Sequence, residues 1–228
     1  MKPMHESVAL TARDGVAIAG DYYLPNAESV KGLLLLHMMP ADRASWRQFG
    51  TRAQEAGWHV LAVDLRGHGA SQGGPDGYKN FSDLEHQASR FDVEAGAEFL
   101  KSRGVTRLVI GGASIGANLA LQYLADPPAG GLDARAAFLL SPGLDYRGIR
   151  AEPLIRQVRP EQGVYLVSSY DDPARGGAES NAAGVRRMHE ISGGEKQMHI
   201  FDDAGHGTTI FERKPEFMDE VMAWLNER

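Results

Sequence analysis

The stretch "LVIGGASIGANLAL" (residues 108–121) constrains the fold of this chain more than any other. An apolar run suited to a buried strand gives way to Gly111, Gly112 and Ala113, presents Ser114, and resumes after Gly116 as an apolar segment that reads as a helix. A strand passing straight into a helix needs a sharp turn, and side chains flanking that turn would collide with strand or helix. Such a step belongs to layered α/β architecture. The turn itself has two readings. Either it is a small-residue corner where a strand packs closely on a helix, or it holds the Ser114 hydroxyl out as a nucleophile at the positive end of the helix.

The rest of the chain keeps the same rhythm. "SVALTA" and "VAIAGDYYL" read as an antiparallel pair turned at Arg13–Gly15, since an Asp-Gly step suits a hairpin. "GLLLLHM" (32–38) is a continuous apolar run, as in a strand buried on both faces. A helix follows from Ser45 to Ala56 with Gly57 as its cap, then the strand "WHVLAVDL" and the polar loop "RGHGASQGGPDG". A long helix is expected from Asp83 to Arg103. Beyond the serine turn, "AAFLLSP", "VYLVSSY" and "KQMHIFDD" read as strands, and "AESNAAGVRRMHEI" and "PEFMDEVMAWLNER" as helices. This alternation implies a mostly parallel sheet with helices on both faces. Residues 143–163 carry no clear pattern and read as a short irregular connection. At 228 residues the chain (1–228) is expected to form one domain.

A serine nucleophile needs a base and a third group to orient it. On a sheet of this type the partners follow in the order serine, acid, histidine. Three histidines follow Ser114. His189 falls in a helix pattern and His199 in mid-strand, whereas His206, in "DDAGHGTTIF", lies between two glycines just past a strand end. There a ring can reach the carboxyl edge of the sheet, where ligands bind. The acid is expected at the end of "VYLVSSY", which leaves Asp171 or Asp172, with Asp172 favoured because Pro173 turns the chain sharply away.

Composition removes other classes of function. A formal charge of −6 argues against a nucleic-acid or anionic-membrane partner. With no cysteine, disulfides, thiol nucleophiles and Cys-ligated zinc are excluded. The opening "MKPMHESVALTARDG" lacks a signal-peptide core, and the longest apolar run is too short to span a bilayer, so a cytoplasmic protein is expected. "GGASIG" has neither the dinucleotide G-x-G-x-x-G spacing nor a P-loop lysine. His189, His199 and His206 have no recognised zinc spacing.

Taken in order, "LLLLHMMPADRASW", "DLRGHGAS", "GGASIGAN", "SSYDDP" and "AGHG" resemble the loop motifs of the serine α/β-hydrolase family across nearly the whole chain. The likeness is to its small, lidless esterase and dienelactone-hydrolase-like members. It implies the α/β-hydrolase fold, with an antiparallel N-terminal strand pair and no large cap domain. By the same resemblance Ser114 is the nucleophile, His206 the general base and then acid, and Asp172 its orienter. The backbone N–H groups of Ile115 and Met39, with Met38 as the alternative, would form the oxyanion hole. Met38 stands where glycine is frequent in the family, and Met38 and Tyr170 are the candidates for the substrate pocket. His37, His68, Asp64 and Arg66 read as residues that brace loops. The implied reaction is hydrolysis of carboxylic esters with short acyl chains, without cofactor or metal, by a monomer or small homo-oligomer. Thioester, lactone, peptide or perhydrolase chemistry at the same site is the alternative, and a non-catalytic binding protein on the same scaffold a further one.

Overall fold

The computed structural model describes residues 5–173 and 180–228. Its main sheet has eight strands: β1 (Glu6–Thr11), β2 (Ala17–Tyr23), β3 (Lys31–Leu36), β4 (His59–Val63), β5 (Arg107–Ala113), β6 (Ala134–Leu140), β9 (Gly163–Ser169) and β10 (Glu195–Phe201). A separate hairpin, β7 (Asp145–Tyr146) and β8 (Ile149–Arg150), follows β6. The spatial order is β1-β2-β4-β3-β5-β6-β9-β10. β1 and β2 run antiparallel to their neighbours, and every pairing from β4 to β10 is parallel. The helices are α1 (Arg47–Glu55), α2 (Asp83–Gln87), α3 (Arg90–Ser102), α4 (Ile115–Ala125), α5 (Ala151–Ile155), α6 (Asn181–Ile191), α7 (Thr209–Arg213) and α8 (Phe217–Asn226).

The central strands are apolar throughout because both of their faces are covered. Leu34, Leu36, Ile110, Leu139 and Leu166 pack into one core with residues of α3, α4 and α6. Leu33, Leu35, Val109, Phe138 and Val167 point to the other, where Trp46, Phe49, Phe217 and Trp224 lie. α4 is buried nearly all round, with Asn118 as its polar exception. The Asn118 amide donates to the carbonyls of Gly143 and Ile149 and accepts from the Gly143 N–H, so its polar groups are met while it ties the hairpin to α4.

Three local features differ from the sequence pattern. The helix expected over 83–103 is two helices, α2 and α3, broken at Ala88–Ser89. The break puts Asp92 in the first turn of α3, where it takes the Arg66 N–H and guanidinium. The connection 143–163 holds the β7–β8 hairpin and α5 rather than irregular chain. Short α7 carries no periodic signal strong enough to be read in advance.

The glycines around Ser114 now have a packing reason. A Cβ at Gly116 would lie 2.4 Å from the Leu36 carbonyl oxygen and 2.6 Å from that of His37, and one at Gly112 would lie 2.2 Å from the Gly116 carbonyl oxygen. Strand, turn and helix therefore touch backbone to backbone. The obstacles to Gly116→Ala are carbonyls that cannot rotate away, so the substitution should destabilise the protein by about 1–3 kcal/mol. A lowered urea midpoint with an unchanged m-value would register it.

Candidate active site

Ser114 has φ 55° and ψ −120°, strained angles for a residue with a side chain, and it is 4% exposed. The turn is held by the Ser114 N–H, which donates to the Leu140 carbonyl at 2.9 Å, and by the Ser114 carbonyl, which accepts from Ala117. Beyond β9 and β10, His206 Nδ1 lies 2.8 Å from both oxygens of Asp172, whose side chain is fully buried. That bond makes Nδ1 the protonated nitrogen and leaves a lone pair on Nε2. Asp171 takes a different part, accepting from the Ser169 hydroxyl and the Gly205 N–H.

The chain neighbours of Ser114 and His206 meet. A Cβ built on Gly207 would lie 3.4 Å from the Ala113 Cβ and 2.5 Å from the Met38 sulfur, so the histidine loop, the serine turn and the exit of β3 converge. The Ser114 hydroxyl makes no hydrogen bond among the described residues. The N–H groups of Ile115 and Met39 likewise find no acceptor among them, and the approach of Gly116 to Leu36 and His37 brings the two segments side by side. Met38 and Met39 are half-buried against opposite cores. Tyr170 is 54% exposed, with its hydroxyl bonded to Arg186. His189 lies on α6, and His199 stacks on Phe201 beside Glu220, so neither joins His206. Sequence reasoning overlooked Ser141, a buried residue at φ 52° whose hydroxyl accepts the Gly207 N–H. Its only signal is a position at the carboxyl end of β6.

A sharp turn after β5, a histidine–aspartate pair beyond β9 and β10, and this strand order define an α/β-hydrolase. A family model described as serine aminopeptidase, S33, matches residues 28–170, more than half of the chain, and the chain belongs to that family. Among solved structures, the esterase Pf2001 of Pyrococcus furiosus is 18% identical with a TM-score of 0.77, covering 98% of this chain and 92% of its own. A dienelactone hydrolase from Anabaena variabilis is 18% identical with a TM-score of 0.75, covering 100% and 97%. An esterase from Exiguobacterium antarcticum is 16% identical with a TM-score of 0.71, covering 97% and 100%. At such identities the likeness is one of fold. Compared with curated proteins, the chain matches none. Among the described residues no helix is long and apolar enough to cross a membrane.

The loops behind the site are braced by buried polar side chains. His37 Nδ1 donates to the Met38 carbonyl, and its Nε2 accepts the Leu65 N–H, both at 2.9 Å. Asp64 accepts from the N–H groups of Arg43 and Ala70. His68 donates from Nδ1 to the Arg66 carbonyl and stacks on Tyr78. Burial, helped by the nearby His68 ring, pushes His37 down to about 3. The folded ring therefore refuses a proton that the unfolded one takes up below about 6.5. The stability this represents is present above pH 6.5 and is lost as pH falls toward 3. Between pH 7 and pH 5 the loss from His37 amounts to about 2 kcal/mol. His37→Gln should flatten the pH dependence of the urea midpoint by that amount, even though the variant starts out less stable at pH 7.

Proposed function

We propose that the protein is a serine hydrolase of carboxylic esters, with Ser114 as nucleophile, His206 as base and Asp172 as the carboxylate that orients it. The observation that carries this reading is the His206–Asp172 pair, with Nδ1 protonated, whose loop packs on the chain neighbours of a strained serine. Nε2 takes the Ser114 proton as the hydroxyl oxygen attacks the ester carbonyl. The tetrahedral oxyanion is received by the N–H groups of Ile115 and Met39, at the positive end of α4. His206 then protonates the departing alcohol, and water cleaves the acyl-enzyme by the reverse sequence. Losing one oxyanion donor would cost about 3–4 kcal/mol of barrier.

The hairpin and α5 are the elements between β6 and β9, which supports an open site and short acyl chains. Half-buried Met38, beside the histidine loop, supplies a flexible apolar surface for such a chain. The family description names an aminopeptidase, and thioesters, lactones and amides would use the same groups. An esterase is favoured because half-buried Met38 beside the histidine loop offers an apolar surface to an acyl chain.

A fluorophosphonate probe should label the wild type, and Ser114→Ala should abolish that labelling; persistent labelling elsewhere would refute the serine assignment. Asp172→Asn should lower kcat by about four orders of magnitude, because the ring loses its tautomer. On nitrophenyl esters, kcat/KM should rise as the acyl chain shortens, and a preference for long chains or for peptide amides would overturn the substrate class.

A further inference from the structure

His206 sits in the run Ala204–Gly205–His206–Gly207, which has almost no side chains of its own to pack. Two glycines beside a catalytic ring leave its backbone free unless something outside the loop holds it. The structure supplies three such holds. The Ala204 N–H donates to Ser169 Oγ at 2.8 Å, the Gly205 N–H to Asp171 Oδ1 at 2.8 Å, and the Gly207 N–H to Ser141 Oγ at 2.9 Å. Two of the holds meet on one carboxylate, because the Ser169 hydroxyl donates at 2.5 Å to the same Asp171 oxygen. The other oxygen of Asp171 takes Arg213 Nη1 at 2.8 Å. Arg213 also covers the loop directly, since a Cβ on Gly205 would lie 3.3 Å from its Cζ. The Ser169 hydroxyl, then the Gly205 N–H, with Arg213 beyond them, keep the Asp171 carboxyl below the usual carboxylate range against some burial. It is ionised at neutral pH.

We infer that Asp171 and Arg213 are positioning residues: they fix the backbone of the histidine loop and so the reach of His206 toward Ser114. The inference rests on the serine-hydrolase reading. Asp172 fixes the ring at Nδ1 and leaves the path of the main chain unspecified. Asp171 specifies it, and Arg213 ties it to the end of α7. A misplacement of about 1 Å at a catalytic group costs on the order of a hundredfold in rate, so a partial loosening should be felt in kcat. The Asp171–Arg213 pair is largely solvated, and pairs of that kind contribute little to global stability. Rate and stability should therefore separate.

The test uses the intact protein and Asp171→Ala, Asp171→Asn and Arg213→Ala, with kcat and KM on nitrophenyl acetate, the rate of fluorophosphonate labelling, urea midpoints and amide hydrogen exchange at Gly205. Both alanine variants should lose about tenfold in kcat and in labelling rate, with KM within about twofold and the urea midpoint unchanged. Asp171→Asn keeps an acceptor for Gly205 and should recover much of the loss. Exchange at Gly205 should speed up in Asp171→Ala. Wild-type rates in both alanine variants, losses that follow the urea midpoint, an asparagine variant as slow as alanine, or unchanged Gly205 exchange would each overturn the inference. A wild type that takes no label strikes instead at the serine reading, which the exchange measurement does not depend on.

Discussion

At the start of α4 the main chain presses on the main chain of β3. Gly116 lies so close to the carbonyls of Leu36 and His37 that no side chain fits between them. This contact sets the angle at which α4 leaves the sheet, and so the strained angles of Ser114. It also brings the N–H of Ile115, without an acceptor among the described residues, beside the loop that carries Met39. Ala113, one residue before the serine, then meets Gly207, one residue after His206. A turn, the pair of amides proposed to receive the oxyanion and a histidine loop thus hang on one close approach.

The carboxyl edge of the sheet gathers several loops, and each is tied by a buried polar side chain in addition to its apolar packing. His37 joins the exits of β3 and β4, Asn118 binds the β7–β8 hairpin to α4, and Ser141 joins the end of β6 to the histidine loop. Such bonds are directional and are costly to leave half-made in a buried setting, so they specify loop geometry where apolar contacts would allow sliding. That suits the proposed acyl transfer, in which groups from distant strands must stay in register through several proton transfers.

Much of this was legible in the residues. Continuous apolar runs such as "GLLLL" and "RLVIGG" announced strands covered on both faces, and the Asp-Gly turn announced the antiparallel opening pair. The break at Ala88–Ser89 was not legible, because the apolar period runs on through it and the partner that Asp92 meets beyond it, Arg66, lies in another loop. The hairpin at 145–150 escaped for a related reason. Its strands are two residues long, and it is held from outside, by Asn118 on α4 and by the core that buries Tyr146 and Ile149. Arg213 carried no signal at all, since an exposed arginine on a short helix looks like any solvated charge.

Sequence alone determined the order of the eight strands of the main sheet and of the longer helices, the sharpness of the turn at Ser114 and the short set of residues that could share one rim. Local spacing and residue size suffice for those, because they act within a few residues. The three-dimensional fold decided which aspartate takes the ring of His206, which nitrogen of His37 carries the proton, and that Asp171 turns toward Gly205 and Arg213. These are choices among neighbours brought together from distant strands, and no pattern along the chain encodes the direction in which a carboxylate points.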